Sequence, residues 1–459
     1  MKREQGKRPV SDIRLTPPAD FAAGIKGVTT ALQHTFKEMG PWRALAALSK
    51  VNQEKGYDCP GCAWPDPDDK RSLFAEYCEN GAKAVAEEAT RSRVDPFFFS
   101  QHTISEMLQW SDYQIGKSGR LTHPMICRAG NDYYEPLSWE GSFQIIAQHL
   151  NGLQDPDEAV FYTSGRSSNE AAFLWGLFAR AFGTNNMPDC SNMCHESTGV
   201  ALGKTLGIGK GSVVLDDLHK AEVILVIGQN PGTNHPRMLS ALQQCKLHGG
   251  KVITINPLEE AGLKKFLNPQ RPADYFTSGT RITDLFLQVR INEDVSLLKA
   301  IQKCLIERDQ QTGDVLDHEF INNKTSGFAE LNNDLKNYSL EDLSNRCGIS
   351  VEQIREACDL LASSKKIIIC WAMGLTQHKN GVDNIKECVN LLLMKGAIGK
   401  EGAGTCPVRG HSNVQGDRTV GIIHHPSPSL IKAIKDEFGF DAPLTTGLDT
   451  VHAIRKLSY

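Results

Sequence analysis

No apolar stretch of this sequence is long enough to span a bilayer. The N-terminus, MKREQGKRPVSDIRLTPPADF, is basic but has no hydrophobic core, so a secretory leader is not expected. A paired-arginine export signal followed by an apolar run is also missing. These absences place the chain in the cytoplasm as an expectation. The formal net charge is only −4 over 459 residues and no basic block stands out, which argues against a nucleic-acid partner. There is no Walker A sequence. The one glycine run, Gly207-Ile208-Gly209-Lys210-Gly211, neither follows a strand nor has dinucleotide spacing, so NAD is not the expected ligand.

What is present begins with length: 459 residues exceed one core and imply two or three domains. Thirteen cysteines, an odd count in a chain without an export signal, read as thiols or metal ligands rather than disulfides. Cys59 and Cys62 form a C-x-x-C that is followed by a Pro/Asp-rich loop and Cys78. That arrangement suits an iron–sulfur cluster or a structural zinc, with a redox dithiol as competitor. Pro65 and Pro67 count against a helix-opening thioredoxin motif, and no second C-x-x-C supplies a zinc quartet.

Four apolar runs alternate with helical patterns: EAVFYTS, AEVILVIG, KVITI and KKIIICWAMG. Each reads as a parallel strand covered on both faces. Each ends in polar, Gly- or Asn-containing residues, where doubly wound sheets bind ligands. Four such ends in succession fit a large, polar, nucleotide-like ligand. Between the first two runs lies TNNMPDCSNMCHESTG, in which Cys194 and His195 are adjacent and no apolar period commits either to a core. A thiolate is a soft metal ligand and an imidazole can move a proton; a buried cysteine beside a turn-capping histidine is the plainer alternative. Ser138 reads as the N-cap of a helix, and a helix is expected to stop at Gly396. Residues 399–421 then form a Gly-rich loop crowded with Arg409, His411, Asn413, Gln415, Asp417 and Arg418, which reads as anion or cofactor contact or as a solvated surface loop.

From about residue 57 to 425, CPGCAWP, EPLSWEGSF, SGRSSNEAAFL, GTNNMPDCSNMCHE, GQNPGTNHPRM, INPLEE and PVRGHSNVQGDRTVG follow one another. In this order they resemble the molybdopterin oxidoreductases, specifically the formate dehydrogenase H-like group and its YdeP-type branch. The resemblance implies an α/β fold with two doubly wound Rossmann-like domains around a pterin cofactor, preceded by a small iron–sulfur-type domain. Residues 1–55 would be an N-terminal extension and 56–98 the small domain. Residues 99–189, continued by 412–459, would form one α/β domain, and 190–411 the other.

By the same resemblance, Cys194 would ligate molybdenum or tungsten, His195 would handle the proton, and Arg409 would orient a small anionic substrate. Mo-bis(molybdopterin guanine dinucleotide) would be held by Arg166, Ser167, Gly228, Asn230, Pro231, Asn234, His235, Asn256, Gly374, Gln377, Gly410, Asn413 and Gln415. Cys59, Cys62 and Cys78 would hold a [4Fe–4S] cluster passing electrons to an acceptor protein. The implied reaction is a two-electron oxidation of a formate-like anion. A nitrate-reductase-like oxygen-atom transfer is an alternative, as is a non-catalytic fragment or partner-binding subunit.

Three features depart from the family pattern. Asp66 stands at the third cluster-cysteine position, and Asn80 replaces the lysine between cluster and pterin, with Lys83 nearby. Relatives continue into a C-terminal domain beyond the point matching Tyr459, so a separate chain would supply that part or it would be missing. The expected result of elemental analysis on anaerobically purified protein is molybdenum or tungsten together with released pterin. Protein lacking both would leave the motif series without its cofactor.

Overall fold

The structure, a computed structural model, describes residues 17–68, 71–72 and 75–457. Parts of three expected units fall outside them: residues 1–16 of the extension, 69–70 and 73–74 of the small domain, and 458–459 of the discontinuous domain. The centre is a five-stranded, all-parallel sheet. Its strands are β1 (Val223–Ile227), β2 (Lys251–Ile255), β3 (Leu285–Leu287), β4 (Ile367–Trp371) and β5 (Gly404–Pro407), in the spatial order β3-β2-β1-β4-β5.

The sequences VILVI and IIICW are buried throughout because both sheet faces are covered. Alternation divides them. Val223, Leu225, Ile227, Ile253 and Ile369 enter one core with the helices Asp294–Thr312, Val351–Ala362 and Gly381–Met394. Ile224, Val226, Val252, Ile368 and Cys370 enter the other with helix Met238–Leu247. Trp64, two residues after Cys62, is buried in this second core, so the cysteine-bearing loop is pinned to the sheet.

The chain reverses direction of winding between β1 and β4, and ligands of such sheets bind in the crevice beyond that point. Gly228 and Gly374 cross there. The Gly374 N–H donates to the Gly228 carbonyl at 3.1 Å, and a Cβ on Gly228 would stand 2.7 Å from the Gly374 carbonyl carbon. Gly228 also has φ +57°, so close approach and backbone conformation both require glycine.

Several local expectations hold. Ser138 caps helix Trp139–Asn151 by accepting from the Gly141 N–H, and helix Gly381–Met394 stops before Gly396, at φ +55°. Others need correction. EAVFYTS joins the sheet of none of the other three runs; it pairs with 186–189 through Phe161 N–H to Asn186 O (2.8 Å) and Thr163 N–H to Pro188 O (3.2 Å). Residues 399–421 are not one loop, because Gly404–Pro407 docks on β4 as an edge strand and Val414–Thr419 is helical. Helix Gly24–Met39 was not legible in the extension. It packs with helix Pro41–Leu48 against helix Glu79–Glu88, burying Ala31, Leu48, Ala82 and Val85. No helix among the described residues is long and apolar enough to cross a membrane.

Ile369 is fully buried in the central sheet whereas Ile291 is exposed. Ile369→Ala is therefore expected to destabilise by about 2–5 kcal/mol and Ile291→Ala by no more than about 0.5 kcal/mol. Urea unfolding of the two variants checks this, and equal effects would contradict the placement of the core.

Candidate cofactor cleft and active site

The polar run around Cys194 is helical rather than a loop. Asp189 caps helix Cys190–Cys194, accepting from the Asn192 N–H while Asn192 returns the bond, and helix Glu196–Leu206 follows at once. Both key side chains are buried, Cys194 at 5% exposure and His195 at 1%. Thr376 Oγ1 donates to the Cys194 carbonyl (2.7 Å) and Gln377 Nε2 to that of Met193 (2.7 Å), fastening this turn to the end of β4.

His195 Nε2 lies 3.1 Å from the Val408 carbonyl, which can only accept, so the ring carries its proton there. Nδ1 then accepts from Thr198 Oγ1 (3.0 Å), which itself accepts from Trp371 Nε1 (3.0 Å). The Val408 N–H closes the circuit on the Trp371 carbonyl at 2.8 Å. His235 Nε2 donates to the Arg409 carbonyl (2.8 Å), and the Ala63 N–H, from the cysteine loop, to that of Gly410 (3.2 Å). Three successive carbonyls are thus held by three different elements. Burial lowers the pKa of both histidines, that of His195 to about 3. With both nitrogens engaged and the ring neutral, His195 acts here as a positioning residue. Receiving a proton at Nδ1 would require the bond from Thr198 Oγ1 to open.

Two clefts flank this wall. The first, about 940 Å³, lies over the sheet's switch point. It is lined by Arg166, Gly228, Asn230, Asn234, His235, Gly374 and Gly410, and by Cys59, Cys62 and Cys78. Gln229, Arg237, His411 and Ser412 line it as well. Three buried polar atoms of its lining residues, Gln229 Oε1, His235 Nδ1 and His411 Nδ1, have no protein partner. A buried polar group without a partner is costly. These orphans beside closely packed glycine backbone fit a polar, pterin-type cofactor.

The second cleft, about 620 Å³, is lined by His195, Arg409, Gln415, Arg418, Lys210 and Glu196 among others. Arg418 is neutralised by Asp189 (3.0 Å) and Glu196 (2.9 Å). Arg409 has no carboxylate within ion-pair distance among the described residues; its Nη2 donates to the Gly209 carbonyl (3.2 Å), and its buried Nε has no partner. Burial raises the pKa of the Cys194 thiol, opposed by the Gly410 N–H and the Arg409 charge. A metal would reverse that balance, because coordination deprotonates a thiol outright. Cys194 itself lines neither cleft: its sulfur lies behind Gly410, 3.8 Å from where a Cβ on that glycine would stand, whereas Arg409 lines the second cleft with donors to spare.

The cysteine trio gathers on the rim of the first cleft. Cys59 Sγ and Cys78 Sγ would lie 2.8 and 3.8 Å from a Cβ on Gly81, so glycine leaves them room. The Gly61 and Gly81 N–H groups donate to Cys59 and Cys78 sulfur at 3.3 and 3.4 Å. Three cysteines on one rim, two of them with amide donors on sulfur, are the kind of residues that would hold an iron–sulfur group. Asp66 does not complete a quartet: its carboxylate accepts from Arg237 Nη1 (2.5 Å), whose other nitrogen binds Glu76. Asn80 donates to the Thr233 carbonyl, and Lys83 pairs with Glu79 (2.5 Å), although both line the cleft.

The remaining expected residues take structural places in the protein. Asn256 Nδ2 donates to the Leu258 carbonyl (3.0 Å), Pro231 opens helix Pro231–Asn234, and Asn413 Nδ2 donates to the Ser167 carbonyl (2.8 Å). None of Asn256, Pro231, Ser167, Asn413 or Gln377 lines either cleft. Asp189, Glu196 and Arg237 were missed. The D-x-x-N spacing at Asp189 was a visible cap signal, but nothing local pairs Asp189 with Arg418 or Arg237 with Asp66.

The fold and site define a parallel α/β protein with a large polar cofactor cleft at the switch point and a cysteine beside it. The molybdopterin oxidoreductase family signature matches residues 120–425, and the chain belongs to that family. Membership implies a molybdenum–pterin cofactor. The chain is 48% identical over 446 residues to an uncharacterized oxidoreductase of Mycobacterium tuberculosis, covering 97% of this chain and 57% of that one. It is 47% identical over 439 residues to protein YdeP of Escherichia coli, covering 94% and 57%. Identity is 30% over 360 residues to an F420-dependent formate dehydrogenase alpha subunit of Methanococcus maripaludis, covering 77% and 49%. The chain thus spans about half the length of these relatives.

His195 ionises near 6.5 when unfolded and near 3 when folded, so between these values the unfolded chain binds a proton that the native one does not. Its contribution to stability is complete above pH 6.5 and is lost as pH falls toward 3. The unfolding midpoint is expected to drop on acidification through this window, and less steeply in His195→Gln. An unchanged slope in the variant would show that the native ring is not held neutral.

Proposed function

We propose that the chain forms the cofactor-holding part of a formate dehydrogenase-like enzyme that oxidises a small anion by two electrons in the cytoplasm, with all thirteen cysteines free. The observation that carries this is the half-buried guanidinium of Arg409, its Nε without a partner and no carboxylate within ion-pair distance among the described residues, one residue from the backbone N–H that meets Cys194. When bound, Mo-bis(molybdopterin guanine dinucleotide) supplies two-electron redox chemistry, and an iron–sulfur group supplies one-electron transfer. Cys194 would hold the metal, and the loops at Gly228–His235, Gly374 and Gly410 would hold the pterin. Arg409 fixes the anion by a charge-assisted, bidentate contact from the second cleft. His195 keeps the Val408–Gly410 backbone in register with Cys194. The cysteine rim lies on the first cleft, the side on which electrons would leave toward an acceptor protein.

A second, compatible reading is that another polypeptide completes this chain. Helix Trp139–Asn151 buries none of its residues, and Trp139 and Phe143 are each 61% exposed. An apolar face of that kind fits a protein contact.

Arg409→Gln is expected to lower kcat/KM for formate with an artificial electron acceptor by about 30- to 1,000-fold, the equivalent of about 2–4 kcal/mol. Metal and pterin content should be unchanged, and Arg409→Lys should recover only part of the activity because it lacks the bidentate fork. A metal-loaded protein that turns over formate equally well with either variant would sink the assignment of Arg409.

A further inference from the structure

The glycine run Gly207-Ile208-Gly209-Lys210-Gly211, which lacks dinucleotide spacing, finds its physical reason at the second cleft. Gly207 ends helix Glu196–Leu206 in the left-handed conformation, at φ +80°. A Cβ on Gly209 would stand 3.2 Å from the Gly199 Cα, and one on Gly211 would stand 2.9 Å from Pro407 Cδ. The run therefore lies flat between that helix and β5. Its Gly209 carbonyl accepts from Arg409 Nη2 (3.2 Å), and just beyond it the Ser212 N–H donates to the Thr405 carbonyl (3.0 Å). Anchored in this way, the run presents the Lys210 side chain to the cleft beside Arg409.

The walls of this cleft do not balance its charge. Glu196 is the one acid among the described lining residues, and it already accepts from Arg418 (2.9 Å) and from Asn192 Nδ2 (3.0 Å). Neither Arg409 nor Lys210 has a carboxylate within ion-pair distance among the described residues. Arg409 is half-buried and Lys210 exposed, so one cation stands deep and the other toward solvent. The cleft holds about 620 Å³, which is the size of a small-molecule pocket (roughly 300–1,000 Å³). Formate, with one carbon and a single charge, uses one of the two cations and little of that space.

We infer that the second cleft takes a small dicarboxylate, with one carboxylate on Arg409 and the other on Lys210 of the glycine run. The inference rests on Arg409 as an anion site and adds Lys210 as the residue that selects a second negative group. The guanidinium fork fixes the inner carboxylate, whereas the ammonium on its flexible stem follows the outer one over a range of distances.

The test is isothermal titration calorimetry on the full chain, purified anaerobically, comparing oxalate, malonate and succinate with acetate at constant ionic strength. At least one dicarboxylate is expected to bind about 3- to 10-fold more tightly than acetate. Lys210→Gln is expected to remove that preference, and Lys210→Glu to reverse it by repulsion. Arg409→Gln is expected to weaken both classes of anion. Acetate binding that depends on Arg409, with no preference for any dicarboxylate or with a preference that survives Lys210→Gln, would overturn the inference and leave the reading of Arg409 standing. Binding that Arg409→Gln leaves unchanged, or wild-type protein that binds none of the four anions, would overturn both. The wild-type comparison of dicarboxylate with acetate decides alone if a variant fails to fold.

Discussion

The arrangement rests on three consecutive carbonyls. Val408, Arg409 and Gly410 follow edge strand β5, and their carbonyls accept from His195, His235 and Ala63 respectively. These donors come from the Cys194 turn, the loop after β1 and the cysteine loop. Each bond is worth only about 0.5–1.5 kcal/mol net. Their value is geometric: together they set where Arg409 projects and where the Gly410 N–H meets Cys194. The circuit through Trp371, Thr198 and His195 adds rigidity, because every donor and acceptor in it is matched.

The sheet makes that loop possible. A parallel sheet sends all its carboxyl ends to one side, and the β3-β2-β1-β4-β5 order opens a crevice between β1 and β4. Gly228 and Gly374 let the two strand ends cross at backbone contact, which brings their loops onto a single cleft. The Val408–Gly410 loop then divides the space. Gly410 lines the cofactor-type side and Arg409 the cationic side, with Cys194 buried behind Gly410.

The small cysteine unit is attached by means other than its cysteines. Trp64 enters the core beneath the sheet, Arg237 bridges to Asp66 and Glu76, and the Ala63 N–H reaches Gly410. The rim therefore has a position set by packing and charge before any cluster is considered.

The sequence by itself was enough for what depends on near neighbours. The runs VILVI, KVITI and IIICW are strands because β-branched residues dominate them, and Ser138 and Gly396 end helices through their own backbone chemistry. The ordered motifs were enough to point to the family. Tertiary structure alone decided the rest, because the deciding partners are remote in sequence. Cys194 and His195 sit in a polar run, yet both are buried, and the Val408 carbonyl fixes the His195 tautomer. Asp66 stands at the third cluster-cysteine position of the motif, and only the fold shows that Arg237 holds its carboxylate. Gly404–Pro407 has a loop's composition and becomes a strand because β4 presents it with unpaired backbone groups.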